Sequence, residues 1–186
     1  MKFLGLLFTV SIFLIGCEKD HTKIEICYAG IVNNEMYYFD FIPDSFVTCP
    51  AASLDLNKDG EYDIELWNFY MSSPNGYESR SGITICDSTF QFIITSDSIS
   101  PKILYYNDTI DENKLWSNKP KVPNDYFLLT KDYWVGPYTS KYTYWLWETG
   151  YIGIRNEFPK NRYKYGWMKI NVGQGIIIIY DIGYMR

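Results

Sequence analysis

Apolar and polar residues alternate along much of this chain with a period of two. From Tyr62 the order Tyr-Asp-Ile-Glu-Leu places apolar side chains at 62, 64 and 66 with acids between them. That is the period of a strand with one buried face, because successive side chains point to opposite sides of a sheet. Similar β-rich runs are expected at 24–32, 36–42, 82–86, 90–95, 103–106, 126–130 and 142–147. The last third is the most regular. Tyr151–Phe158, Lys164–Val172 and Ile176–Tyr184 read as a three-stranded meander with turns at Asn161 and Gly173–Gly175.

Turn residues punctuate these runs. Asn33-Asn34 predicts a hairpin between the first two, and Ser72-Ser73-Pro74-Asn75-Gly76 breaks the run that begins at Tyr62. Residues 107–125 are polar and proline-bearing, and predict a long excursion with one helical turn near Asp111–Trp116. Beyond the N-terminal segment no stretch of ten residues carries a 3.6-residue period, and no internal repeat or linker divides the chain. The pattern predicts an all-β fold: an antiparallel β-sandwich of jelly-roll or Ig-like type, in one domain over residues 24–186.

The N-terminal segment reads differently. One lysine, Lys2, precedes an apolar run from Phe3 to Ile15, and Leu14-Ile15-Gly16-Cys17 follows. A run this short has the layout of a secretory signal rather than a membrane span. The order of charge, apolar run, small residue and cysteine resembles the lipobox of bacterial lipoproteins. The resemblance implies removal of residues 1–16, lipid on Cys17, a tether over 17–23 and an acylated anchor in the cell envelope. The outer membrane is the implied location, with the domain facing periplasm or surface.

Removing sixteen of the 186 residues would leave 170 (186 − 16), enough for a domain with a real core. Lys2 leaves with the signal, so 16 Lys and Arg face 22 Asp and Glu, a net charge of about −6. A mildly acidic chain argues against nucleic acid as partner. Export brings an oxidising compartment, so two of Cys27, Cys49 and Cys86 are candidates for a disulfide, with the pairing open. The single histidine, His21, lies in the tether, leaving a cysteine nucleophile without a base nearby in sequence. Catalytic residues are therefore not assigned.

The candidate chemistry is Asp55-x-Asn57-x-Asp59-Gly60-Glu61-x-Asp63. A chain curling around one hard cation presents alternate side-chain oxygens inward, which accounts for spacing two at Asp55, Asn57 and Asp59. Gly60 permits the sharp turn, Glu61 would offer its backbone carbonyl, and Asp63 stands at the ninth position of such a loop. The spacing resembles calcium loops of EF-hand, dockerin and thrombospondin-repeat type. It departs from the EF-hand at position twelve, where Leu66 replaces a bidentate Glu, and in its strand-like flanks; Glu65 is an additional candidate ligand. The expected cofactor is a structural Ca²⁺.

A wider resemblance joins the lipobox, the Ser53-Leu54-Asp55-Leu56-Asn57-Lys58-Asp59-Gly60 loop, Tyr151-Ile-Gly-Ile-Arg155 and Tyr165-Gly-Trp-Met-Lys169. Together they are similar to small surface lipoproteins of Bacteroidota type, which implies a β-sandwich at the envelope and no particular activity. Trp145 and Trp147, with Tyr142 and Tyr144, are candidates for a sugar-stacking platform, although one face of such a strand must be core. Asp97-Ser98-Ile99 and Asp108-Thr109-Ile110 resemble O-glycosylation acceptors of the same group. The chain thus reads as a lipid-anchored binding or assembly module clasped by calcium, with an envelope protein or glycan as partner. A glycan-binding accessory protein is the alternative, and a carboxylate-based hydrolase a third.

Overall fold

A computed structural model of the chain describes residues 26–47, 51–120, 126–135, 138–142, 144–159 and 162–186. Among these residues the regular structure is strand throughout, and none forms a helix. In chain order the strands are β1 (Cys27–Tyr28), β2 (Met36–Val47), β3 (Ala51–Leu54), β4 (Ile64–Ser73), β5 (Gly76–Ile85) and β6 (Phe90–Ile93). There follow β7 (Thr109–Ile110), β8 (Trp116–Ser117), β9 (Phe127–Val135), β10 (Tyr138–Tyr142), β11 (Thr149–Phe158), β12 (Arg162–Gly173) and β13 (Ile176–Met185). One sheet runs β10-β9-β5-β4-β3 and another β2-β13-β12-β11-β6-β8, while β1 pairs with β7 apart from both. These strand pairs are all antiparallel.

The two large sheets form a β-sandwich because each turns an apolar face to the other. Ile64 and Leu66 on β4, Ile83 on β5 and Phe127 and Leu129 on β9 share one core with residues of the six-stranded sheet. The latter include Phe92, Ile154, Met168, Ile170 and Ile177. Phe92 and Phe127 meet edge to face across the interface, ring centroids 5.5 Å apart. Each such side chain contributes about 1.5–3 kcal/mol by leaving water.

The six-stranded sheet is buried on its other face too. Cys27, Ala29, Leu104 and Ile110 cover Met36, Ile93, Tyr165, Trp167 and Met185 there. The pair β1–β7, with Ala29 and Leu104, thus forms a third layer, while β8 joins the edge of the six-stranded sheet. The helical turn expected near Asp111–Trp116 is instead a non-helical turn between β7 and β8. The expected hairpin at Asn33-Asn34 is also absent, since β1 pairs with β7 and β2 with β13. The meander β11-β12-β13 forms as its alternation requires.

The inner face of the five-stranded sheet changes from apolar to polar along its length. Directly opposed residues in antiparallel strands share a face. The row Leu66, Ile83, Phe127 is apolar, and the row Asn68, Ser81, Thr130 is polar but buried. Then come Tyr70, Ser79, Asp132 and finally Ser72, Tyr77, Trp134. The buried polar row is satisfied in part by Ser81, which donates to Asn68, and by Asn68 Nδ2, which donates to the Val47 carbonyl at 2.6 Å.

Candidate functional site

The predicted cation loop joins β3 to β4 at one end of the sandwich. Leu56 is buried in the core beneath it, and the Lys58 ammonium lies 4.7 Å and 4.4 Å from the rings of Tyr37 and Phe39 on β2. The loop therefore bridges the two sheets at their edge strands.

Its curl is built from side-chain acceptors and backbone donors. Asp55 Oδ1 accepts from the amides of Lys58 (2.7 Å) and Asp59 (3.2 Å), and Oδ2 from that of Gly60 (2.9 Å). Asn57 Oδ1 accepts from the Asp59 amide and Asp59 Oδ1 from the Glu61 amide, each at 2.9 Å. Asp and Asn favour such turns because a short polar side chain captures an amide a few residues on. Gly60 sits at φ +94° with open space around it, the left-handed backbone that glycine adopts without strain.

Asp63 closes the loop. It is 1% exposed, and its Oδ2 accepts from the amides of Leu56 (2.6 Å) and Asn57 (3.2 Å). The Asn57 side-chain amide then links two carboxylates, donating to Asp59 Oδ2 at 2.9 Å and to Asp63 Oδ1 at 3.5 Å. Burial pushes the Asp63 carboxyl up to about 6. The two backbone amides oppose that shift, and the charges of Asp55 and Asp59 add to it.

Four predicted ligands, Asp55, Asn57, Asp59 and Asp63, are thus joined in one hydrogen-bonded web. Glu61 contributes its backbone amide to that web, and its side chain is exposed. Glu65 stands in β4 opposite Ser53 and Thr84, outside the curl. Among the described residues no group of three or more His, Cys, Asp or Glu side chains is arranged to hold a metal ion. The carboxylates are turned instead to backbone amides and to Asn57.

The tryptophan pair separates. Trp145 is fully buried, its Nε1 donating to the Pro101 carbonyl at 2.9 Å, so it cannot serve as a sugar platform. Trp147 is 68% exposed with φ 63°, packed against Gly173. The expected strand over 142–147 ends at Tyr142, and a turn rather than alternation sets the two rings apart. Ser98, in the Asp97-Ser98-Ile99 triplet that resembles a glycosylation acceptor, is 6% exposed inside a tight turn at φ 59°.

Cys27, whose thiol burial pushes up to about 12, and Cys86 are both free. Cys17, His21, Cys49 and the expected turn residue Asn161 lie outside the described residues. No helix among the described residues is long and apolar enough to cross a membrane. Tyr70, Tyr77, Asp132 and Trp134 were not singled out by the sequence. The signal that marks them is the turn from apolar to polar and aromatic residues along the inward positions 64, 66, 68, 70 and 72. No protein-family model, curated protein or solved structure matches this chain.

Proposed function

We propose that this chain is a lipid-anchored envelope protein whose β-sandwich is clasped by one calcium ion and serves as a binding or assembly module. The observation that carries the reading is the web of Asp55, Asn57, Asp59 and Asp63 over nine residues, with a buried carboxylate at its base. The donors are hard oxygens, which suit calcium. Asp55, Asn57, Asp59 and Asp63 would hold the ion through side chains and Glu61 through its carbonyl. A bound cation would neutralise the mutual repulsion of the carboxylates.

The clasp acts on stability rather than on a reaction. It ties β3, β4 and β2 together at one edge and seats Leu56 under the core. The Gly16-Cys17 lipobox supports the envelope location, and the acidic charge is compatible with display outside the cell.

Melting the full chain in EDTA and then in millimolar calcium tests the clasp. Calcium at a hundredfold excess over Kd should add about 2.7 kcal/mol to stability. Asp55→Ala and Asp59→Ala should abolish the gain. An unchanged midpoint, with both variants silent, would sink the proposal.

A further inference from the structure

We infer that the end of the sandwich remote from the loop binds an uncharged, hydroxyl-rich glycan. The inference names a ligand class for the binding module proposed above and rests on that reading, but not on calcium.

The five-stranded sheet outruns its partner there. The six-stranded sheet turns back at Gln174-Gly175, between β12 and β13, while β4 and β5 stay paired out to Ser73 and Gly76. The Gly175 amide donates to Ser79 Oγ at 3.0 Å, and a Cβ on Gly175 would meet the Tyr70 side chain at 3.1 Å. The hairpin tip therefore rests on the row Tyr70, Ser79, Asp132. Beyond that row, β4 and β5 continue to Ser73 and Gly76 past the turn of the β12–β13 hairpin. Tyr70 is 52% exposed and Trp134 42%.

These rings form a platform with a polar rim. Tyr70 and Tyr77 are nearly parallel, 26° apart with centroids at 6.5 Å. The Tyr77 hydroxyl donates to Asp132 Oδ2 at 2.8 Å, and the Gln174 side chain hydrogen-bonds to Tyr77. Ser72 lies opposite Tyr77 on the neighbouring strand. A pyranose presents an apolar C–H face and a rim of hydroxyls. Aromatic faces suit the first, and a few fixed carboxylate, amide and hydroxyl groups suit the second.

The site is separate from the loop. Tyr70 is six residues along β4 from Ile64, about 20 Å at strand rise. Trp147, on Gly173 of the same hairpin, adds an exposed ring beside the tip.

Titration calorimetry of the full chain tests this in a polyoxyethylene detergent, which carries neither sugar nor ammonium. The probes are cellohexaose, xylohexaose, mannohexaose and maltohexaose at millimolar concentration, with choline chloride alongside. At least one oligosaccharide should bind. Trp134→Ala and Tyr70→Ala, both at exposed positions, should weaken binding about tenfold or more without lowering the melting midpoint. Tyr77→Phe, which keeps the ring and frees Asp132, should weaken it less. Binding should persist in EDTA and in Asp55→Ala, so failure of the clasp and failure of this site are told apart. The inference is overturned if no oligosaccharide binds, if choline binds in their place, or if binding is indifferent to Trp134 and Tyr77.

Discussion

Trp145 and Trp147 stand two positions apart and live in opposite environments. The first fills the core and spends its one donor on the Pro101 carbonyl; the second lies open on Gly173. Trp145→Ala should cost about 3–5 kcal/mol, since it opens a cavity and removes one of the two hydrogen bonds to that carbonyl, leaving only the one from Ser100 Oγ. Trp147→Ala should stay within about 0.5 kcal/mol. Urea unfolding of the two variants checks both values, and equal losses would contradict the assignment. Asp97 makes a second residue-scale case. Burial raises its carboxyl, but hydrogen bonds from Thr95 Oγ1, Tyr144 and the Ile99 amide outweigh that and hold it below the ordinary carboxylate range. A carboxyl whose folded pKa is depressed stabilises the fold above its unfolded value, and that contribution is lost as pH falls through the folded pKa. Asp97→Ala should thus be less stable than the parent at neutral pH and show a shallower loss below about pH 4. Parallel acid-unfolding curves from circular dichroism would refute it.

At the scale of elements, β13 explains why a simple alternation pattern works only in part. Ile177 and Ile179 face the core, and then Ile182 and Tyr184 do. The parity changes because Ile170 pairs with Ile179 while Lys169 pairs with Asp181, which leaves Tyr180 as an extra residue in a β-bulge. The run Ile176–Tyr180 has apolar or aromatic side chains at every position, so nothing local marks where the slip falls. The strand itself was legible, and its register was not. Next to it, β12 and β13 approach closely at a glycine. A Cβ on Gly166 would lie 2.6 Å from the Gly183 carbonyl oxygen, which is backbone and cannot swing away. Gly166→Ala should therefore cost about 1–3 kcal/mol through forced separation of the strands. A thermal shift comparable to that of a conservative surface substitution would show the backbone to be more yielding than this.

On the scale of the whole molecule, two sheets share one core and a third layer seals the back of the larger sheet. Their unequal reach leaves one end clasped by the loop and the other open, with inward aromatic side chains in water. The sequence alone determined that the chain is all-β, that its last third is a meander, and that Asp55, Asn57, Asp59, Gly60 and Asp63 make a curl. These follow from local causes: side-chain parity, β-branched and aromatic content, and short acceptors beside amides two to seven residues away. Pairings between distant segments were decided only in three dimensions. β1 joins β7 across about eighty residues, and Cys27, Ala29 and Ile110 are buried there in one cluster with Trp167, a contact that no local pattern around Asn33-Asn34 records. The fate of Trp145 and of the Tyr70–Trp134 platform was decided in the same way. A side chain that faces inward is core or binding surface according to whether another sheet lies above it, and the length of that other sheet is not written in the strand that carries the side chain.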